Sequence, residues 1–182
     1  MKVSVTLDNQ GLLPDQYAKF APAEYRLEDN PVVNFPIAVS DVPAGTETLA
    51  IAFIDYDAIP VGGFPWIHWT VANLPVGDVP ENLTTSDVPF VTGTNSMYSI
   101  FKHSKPEITQ SYIGPMPPDQ THDYTLTVYA VDTTLDLNPG YFFNELRKDL
   151  VGHVLAEASV ELPARSESRK TAVAQQNEQQ PF

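Results

Sequence analysis

Alternation of apolar and polar residues predicts that β-strands form most of this chain. In residues 2–7 the apolar side chains of Val3, Val5 and Leu7 share one face, as they do in a strand. Residues 49–54 are apolar throughout, which is typical of a strand covered on both faces. Further strands are predicted at residues 32–39, 66–72, 124–131 and 154–162. Short strands separated by turn residues indicate a mostly β fold, at the margin of the α+β class.

One helix is predicted towards the C-terminal end of the chain. Asn138 can cap it, and Pro139 can occupy its first turn, where a missing N–H group costs nothing. Phe143, Leu146 and Leu150 are spaced so that they share one face of such a helix.

Residues 76–121 show no sustained periodicity, although they form a long stretch between two predicted strands. Long ordered loops in compact domains are usually functional, and a plain surface excursion is the alternative. The loop includes a proline-rich run, Gly-Pro-Met-Pro-Pro, at residues 114–118.

The length of 182 residues suits one domain, which we place at residues 1–163. From residue 164 onwards Arg, Ser, Glu, Gln and Asn replace the apolar residues. We therefore expect residues 164–182 to form a polar C-terminal tail that is either flexible or an interaction arm.

The charge and the absence of cysteine exclude several classes of function. The formal net charge is −13, so we expect no nucleic-acid partner, because phosphates would be repelled. The chain has no cysteine, which excludes disulfides, thiolate metal sites and cysteine nucleophiles. No apolar run reaches the roughly 20 residues of a transmembrane helix, and residues 1–8 lack the apolar core of a signal peptide. These features predict a cytoplasmic protein.

Carboxylates and imidazoles occur where predicted strands end. Asp55 and Asp57 follow the buried strand and point the same way if the chain stays extended. His68 lies on the next strand, and His122 shares a face with Tyr124 on a later one. A carboxylate beside an imidazole raises its pKa, and a partly protonated imidazole donates well to phosphate or carboxylate. The alternative is that each histidine only satisfies a buried carboxylate.

Four groups of motifs, in order, resemble those of the phosphatidylethanolamine-binding protein family, and in particular its bacterial branch, often called Raf-kinase-inhibitor-like. They are DYDAIP at 55–60; WIHW at 66–69 with VANLP at 71–75; YIGPMPP at 112–118 with HDY at 122–124 and VYAVD at 128–132; and GHVLAEA at 152–158. The resemblance implies a large central β-sheet with a smaller sheet packed on it and one or two short helices.

The resemblance also implies a ligand pocket that binds phosphate-like anions and phosphoethanolamine head groups. By motif position, the implied ligand-binding residues are Asp55, Asp57, His68 and His122, with Pro117 and Tyr124 close by. Four positions depart from the family pattern. Tyr56 replaces a proline, Ile59 is an additional residue, Asp123 replaces an arginine, and Met116 stands where the bacterial branch often has a smaller residue.

The function predicted from these features is non-catalytic binding and regulation, through a small anion pocket. The family has no accepted catalytic activity, and its members modulate kinases, proteases or signalling complexes. No GxSxG elbow, HExxH zinc motif or glycine-rich phosphate loop occurs, so we expect no catalytic residue, metal or cofactor. Two alternatives remain: an inhibitor of a partner kinase or protease, and a weak hydrolase assisted by His and Asp. A homodimer is also possible.

Overall fold

A large antiparallel sheet forms the centre of the protein in a computed structural model that describes residues 1–100, 102 and 104–167. Its five strands are, in spatial order, β7 (Val91–Thr92), β6 (Trp66–Leu74), β5 (Thr48–Asp55), β8 (His122–Val131) and β9 (Val154–Ala164). Two small antiparallel sheets accompany it: β1 (Lys2–Ser4) with β4 (Ala38–Ser40), and β2 (Arg26–Leu27) with β3 (Asn30–Pro31). The mostly β fold predicted from the sequence is confirmed.

The middle strand β5 is buried along its whole length, which explains its unbroken apolar sequence. One side of the sheet packs Phe53 and Leu126 against Phe35 and the smaller β1–β4 sheet, whose Val39 joins the same core. The opposite side carries a second apolar cluster that includes Leu146. Because both faces are covered, alternation is lost in β5, whereas in the outer strand β9 most residues are half-buried or exposed.

The described residues include three short α-helices: α1 (Ile59–Gly62), α2 (Pro106–Thr109) and α3 (Phe143–Asp149). Leu146 of α3 is completely buried, as the predicted helical face requires. The predicted start of this helix at Asn138 and Pro139 is wrong, because the chain makes a turn there in which the Tyr141 N–H donates to the Asn138 carbonyl. The helix begins four residues beyond Pro139, where the Glu145 carboxylate accepts the N–H of Phe142 and so caps the first turn.

Two predicted boundaries differ in the structure. Residues 32–39 are mainly irregular, and only Ala38–Ser40 pair as a strand. At the C-terminal end, β9 continues through the buried Ala164, and the Arg165 guanidinium donates to the Asp15 carboxylate. The rest of the predicted tail, from residue 168, lies outside the described residues. In the described part of the chain, every helix is too short or too polar to cross a bilayer.

Candidate functional site

Strand register brings the site together at one end of the large sheet. Asp55 is the last residue of β5, and it lies opposite Trp66 on β6 and Tyr124 on β8. His68 and His122 are each two residues from those partners, so period-two alternation puts them on the same face as Trp66 and Tyr124, respectively. Residues far apart in sequence thereby surround one carboxylate.

A cavity of about 440 Å³ opens at this end of the sheet. Four of the six residues predicted to bind a ligand line it: Asp55, His68, His122 and Tyr124. The apolar part of its wall includes Val61, Phe64, Trp66, Met97, Ile113 and Met116. Lys102 also lines the cavity and is exposed. The cavity therefore combines a buried polar end with a long apolar wall.

His122 is held between two carboxylates. Its Nδ1 lies 2.9 Å from Asp55 Oδ2, and its Nε2 lies 2.9 Å from Asp119 Oδ1. An ionised carboxylate can only accept, so this pair of contacts favours the imidazolium form, in which both ring nitrogens carry hydrogen. Burial lowers the pKa of His122, but hydrogen bonds and charges of Asp55 and Asp119 outweigh it and leave the pKa raised. The hydrogen bond between His122 and Asp119 also lowers the pKa of Asp119.

The pKa of His68 is shifted in the opposite direction. Burial lowers the pKa of His68 to about 4. The hydrogen bond to the Ile113 carbonyl and the charge of Asp55 raise this pKa, but by less than burial lowers it. Its Nδ1 lies 2.8 Å from the Ile113 carbonyl oxygen. A carbonyl only accepts, so Nδ1 carries the hydrogen and Nε2 keeps its lone pair. The neutral ring therefore offers the cavity an acceptor.

Tyr124 completes the polar end. Its ring meets His68 edge to face at 5.0 Å between centroids. Burial, and then the neighbouring Asp55 carboxylate, raise the pKa of Tyr124 far above its ordinary value, so it remains a phenol. The hydroxyl thus keeps its hydrogen, which it donates to Asp55.

The other two predicted ligand-binding residues, Asp57 and Pro117, do not line the cavity. The assumption of an extended chain fails for Asp57, because β5 ends at Asp55 and a turn leads into α1. Asp57 instead accepts the backbone N–H of Asp123 at 2.9 Å. Pro117 is buried, and its carbonyl oxygen accepts a hydrogen bond from Lys19 Nζ at 2.9 Å.

The departures from the family motifs have visible structural consequences. Tyr56 and Ile59, the first residue of α1, are exposed. The N–H of Ala58, the residue before α1, donates to Asp55 Oδ1 at 3.0 Å. Asp123 is exposed on the face of β8 opposite to His122, as strand alternation predicts. Met116 forms part of the cavity wall.

Sequence reasoning missed Asp119, Lys102 and most of the apolar wall. Asp119 stands three residues before His122, a spacing that could have suggested a contact had the turn been known. Lys102 and the wall residues Met97 and Ile113 come from the long loop, where no periodicity indicated an inward side. In the described part of the chain, no group of three or more His, Cys, Asp or Glu side chains is arranged to hold a metal ion.

Comparisons with known proteins agree with this architecture. The family model for phosphatidylethanolamine-binding protein matches residues 3–164. The uncharacterized protein YxkA of Bacillus subtilis is 46% identical over 167 residues, which cover 90% of this chain and 99% of YxkA. The UPF0098 protein PH1269 of Pyrococcus horikoshii is 33% identical over 75% of this chain and 66% of that protein.

Two solved structures share the fold. CT736 from Chlamydia trachomatis is described as a homolog of phosphatidylethanolamine-binding protein. Its structure superposes on this one with a TM-score of 0.68 at 26% identity, and the match covers 86% of this chain and 90% of CT736. YbcL of Escherichia coli, described as a member of the mammalian PEBP family, gives a TM-score of 0.70 at 21% identity, with 91% and 98% covered, and supports the fold alone. The fold and the match over nearly the whole chain define a β-rich protein with a cavity at the end of its sheet. This chain belongs to the phosphatidylethanolamine-binding protein family.

Proposed function

We propose that this protein is a non-catalytic binding protein for a small ligand that bears a phosphate or carboxylate, such as a phosphoethanolamine-like head group. The observation that carries the proposal is the 440 Å³ cavity, in which Asp55, His68 and His122 form a buried polar end below an apolar wall. Such a combination suits a small charged group attached to a short apolar chain.

One cation favours an anionic ligand. Lys102 lines the cavity at the surface, whereas any positive charge on His122 is offset by Asp55 and Asp119, which contact its two ring nitrogens. The net charge of −13 opposes anion binding only weakly at this site, because distant surface charges are screened by salt.

The proposed role is binding without turnover. No serine or threonine is among the described residues that line the cavity, and the chain has no cysteine. The Tyr124 hydroxyl does line it, but its strongly raised pKa keeps it a neutral phenol, which is a weak nucleophile. Both ring nitrogens of His122 are already engaged by carboxylates, which removes that ring as a free base. Turnover assays with phosphate esters should therefore give no activity above background.

The two tryptophans provide the direct test. Trp66 lines the cavity, whereas Trp69 is buried in the core against Tyr112. During titration with phosphoethanolamine, the indole NMR signal of Trp66 should shift saturably while that of Trp69 stays in place. No saturable shift of Trp66 at millimolar ligand would refute the proposal.

A pair of lysine variants provides a matched control. Lys102→Ala should weaken phosphoethanolamine binding about two- to fivefold, as expected for an exposed charge. Lys105→Ala should leave it unchanged, because Lys105 pairs with Glu28 at 3.6 Å and does not line the cavity. Equal effects of both variants would indicate a non-specific charge effect.

A further inference from the structure

The hydrogen-bonding groups at the buried end of the cavity are unequally divided between donors and acceptors. Both N–H groups of His122 are taken by Asp55 and Asp119, at 2.9 Å each. The N–H of His68 is taken by the Ile113 carbonyl at 2.8 Å. Neither histidine therefore has a hydrogen left for a ligand.

The groups that remain for a ligand at this end are mainly acceptors. The Asp55 carboxyl group has oxygen lone pairs beyond those used by His122, Ala58 and Tyr124. His68 presents the lone pair of Nε2, which has no hydrogen-bond partner among the described residues. The Tyr124 phenol donates its one hydrogen to Asp55. The exposed Lys102 ammonium is therefore the charged donor that remains for a ligand.

A fully deprotonated oxyanion would fit such a set of groups badly. Its oxygens only accept, so they would face the Asp55 carboxylate and the His68 lone pair with no hydrogen between them. A buried acceptor without a donor costs free energy, and the negative charges of the oxyanion and of Asp55 would repel each other. A ligand that brings its own acidic hydrogen converts the same contact into a hydrogen bond.

Resting on the phosphate-bearing ligand of the proposed function, and not on its carboxylate alternative, we propose that the cavity selects oxyanions that carry a proton, namely hydrogen phosphate and singly protonated phosphate monoesters, and rejects sulfate and phosphate diesters. The P–OH group donates to His68 Nε2 or to Asp55, while a remaining oxygen accepts from Lys102. His68 and Asp55 are thus the specificity-determining residues of the cavity.

The charged and titratable groups around His68 keep this selectivity in place near neutral pH. They are Asp55 from β5, His122 and Tyr124 from β8, Asp119 through His122, and Lys102 from the long loop. Burial holds the pKa of His68 at about 4, so Nε2 remains an acceptor between pH 5 and 8. Below that range the ring gains a hydrogen at Nε2, and sulfate should begin to bind.

The ligands themselves give the decisive experiment with the wild-type protein. Inorganic phosphate, sulfate, phosphoethanolamine and the diester glycerophosphoethanolamine are titrated at constant ionic strength, with the Trp66 indole signal as readout. Inorganic phosphate carries a hydrogen throughout this pH range, so at pH 7 it should bind at least about tenfold tighter than sulfate. The diester should not bind.

The pH dependence gives a second, independent arm. The second pKa of a phosphate monoester is about 6, so the protonated form becomes about tenfold rarer from pH 7 to pH 8. The apparent affinity for phosphoethanolamine should fall about tenfold over that interval, and calorimetry in buffers of different ionisation enthalpy should show uptake of about one proton.

A glutamine variant reverses the donor pattern. In His68→Gln the amide can donate into the cavity, so the preference for phosphate over sulfate should fall to less than about threefold. His153→Gln is the control, because His153 lies outside the cavity beside Asp132 and its replacement should leave the ratio unchanged. If His68→Gln does not fold, the wild-type ligand and pH series decides alone.

The outcomes separate this inference from the proposed function. Sulfate binding as tightly as phosphate at pH 7, or phosphoethanolamine affinity that does not change with pH, would overturn the inference and leave the proposed function standing. Ethanolamine binding as tightly as phosphoethanolamine would overturn both, because the ammonium would then be the recognised group. An absence of binding by all probes would also overturn both.

Discussion

Replacement of His122 by phenylalanine should destabilise the protein by leaving a buried carboxylate without its partner. His122 and Asp55 are both almost fully buried, and 2.9 Å separates Nδ1 from Oδ2. Phenylalanine keeps most of the ring volume, so the main change is the loss of two charge-assisted hydrogen bonds. Asp55 would retain the Ala58 N–H as a donor.

The expected loss of stability follows from this geometry. Removing one partner of a buried ion pair typically costs about 3–5 kcal/mol. Asp55 borders the cavity, where water can reach part of the freed carboxylate, so we expect the lower end, about 3 kcal/mol. For a chain of this size that corresponds to a melting temperature lower by about 6–12 °C.

The pH dependence gives the sign of the effect. The pKa of His122 is raised in the folded protein, so its contribution is complete below the ordinary value of about 6.5 and is lost as pH rises through the raised folded value. The stability difference between wild type and His122→Phe should therefore be largest near pH 6 and smaller at pH 9.

Urea unfolding at 25 °C, followed by tryptophan fluorescence at both pH values, measures these differences. The double variant Asp55→Asn/His122→Phe should recover much of the loss, because it leaves no buried charge. Asp119→Asn should have a much smaller effect, because Asp119 is exposed. A His122→Phe variant as stable as the wild type at pH 6 would refute the reasoning, as would a difference independent of pH.

Two further predictions concern residues outside the cavity. Asp57→Ala should cost up to about 1 kcal/mol in urea unfolding, through loss of its hydrogen bond to the Asp123 N–H. The same variant should leave the phosphoethanolamine affinity within twofold, and a larger loss of affinity would place Asp57 in the binding site. Gly93→Ala should lower the free energy of unfolding by about 1–3 kcal/mol, because an added Cβ would overlap Thr70 Oγ1 and lie 2.6 Å from Tyr141 Cε2; unchanged thermal stability would contradict that packing.

The central strands could be predicted because their signal is local. The apolar run of β5 is long enough to identify a strand covered on both faces, and the alternation of β8 correctly separates His122 and Tyr124 from Asp123. The helix face at Leu146 was found in the same way. The first residue of this helix was not found. The helix is capped by the Glu145 carboxylate, which accepts the N–H of Phe142, while Asn138 takes part in a separate turn.

By itself, the sequence determined which strands carry Asp55, His68 and His122, and through the order of motifs it indicated the family that the comparisons show. Tertiary structure alone decided the direction in which the pKa of each histidine moves. His122 meets two carboxylates, which raise its pKa, whereas His68 is buried beside a backbone carbonyl and its pKa falls to about 4. The reason is that proton affinity depends on burial and on the partners of each ring nitrogen. Those partners come from strands and loops that are up to 67 residues away in the chain.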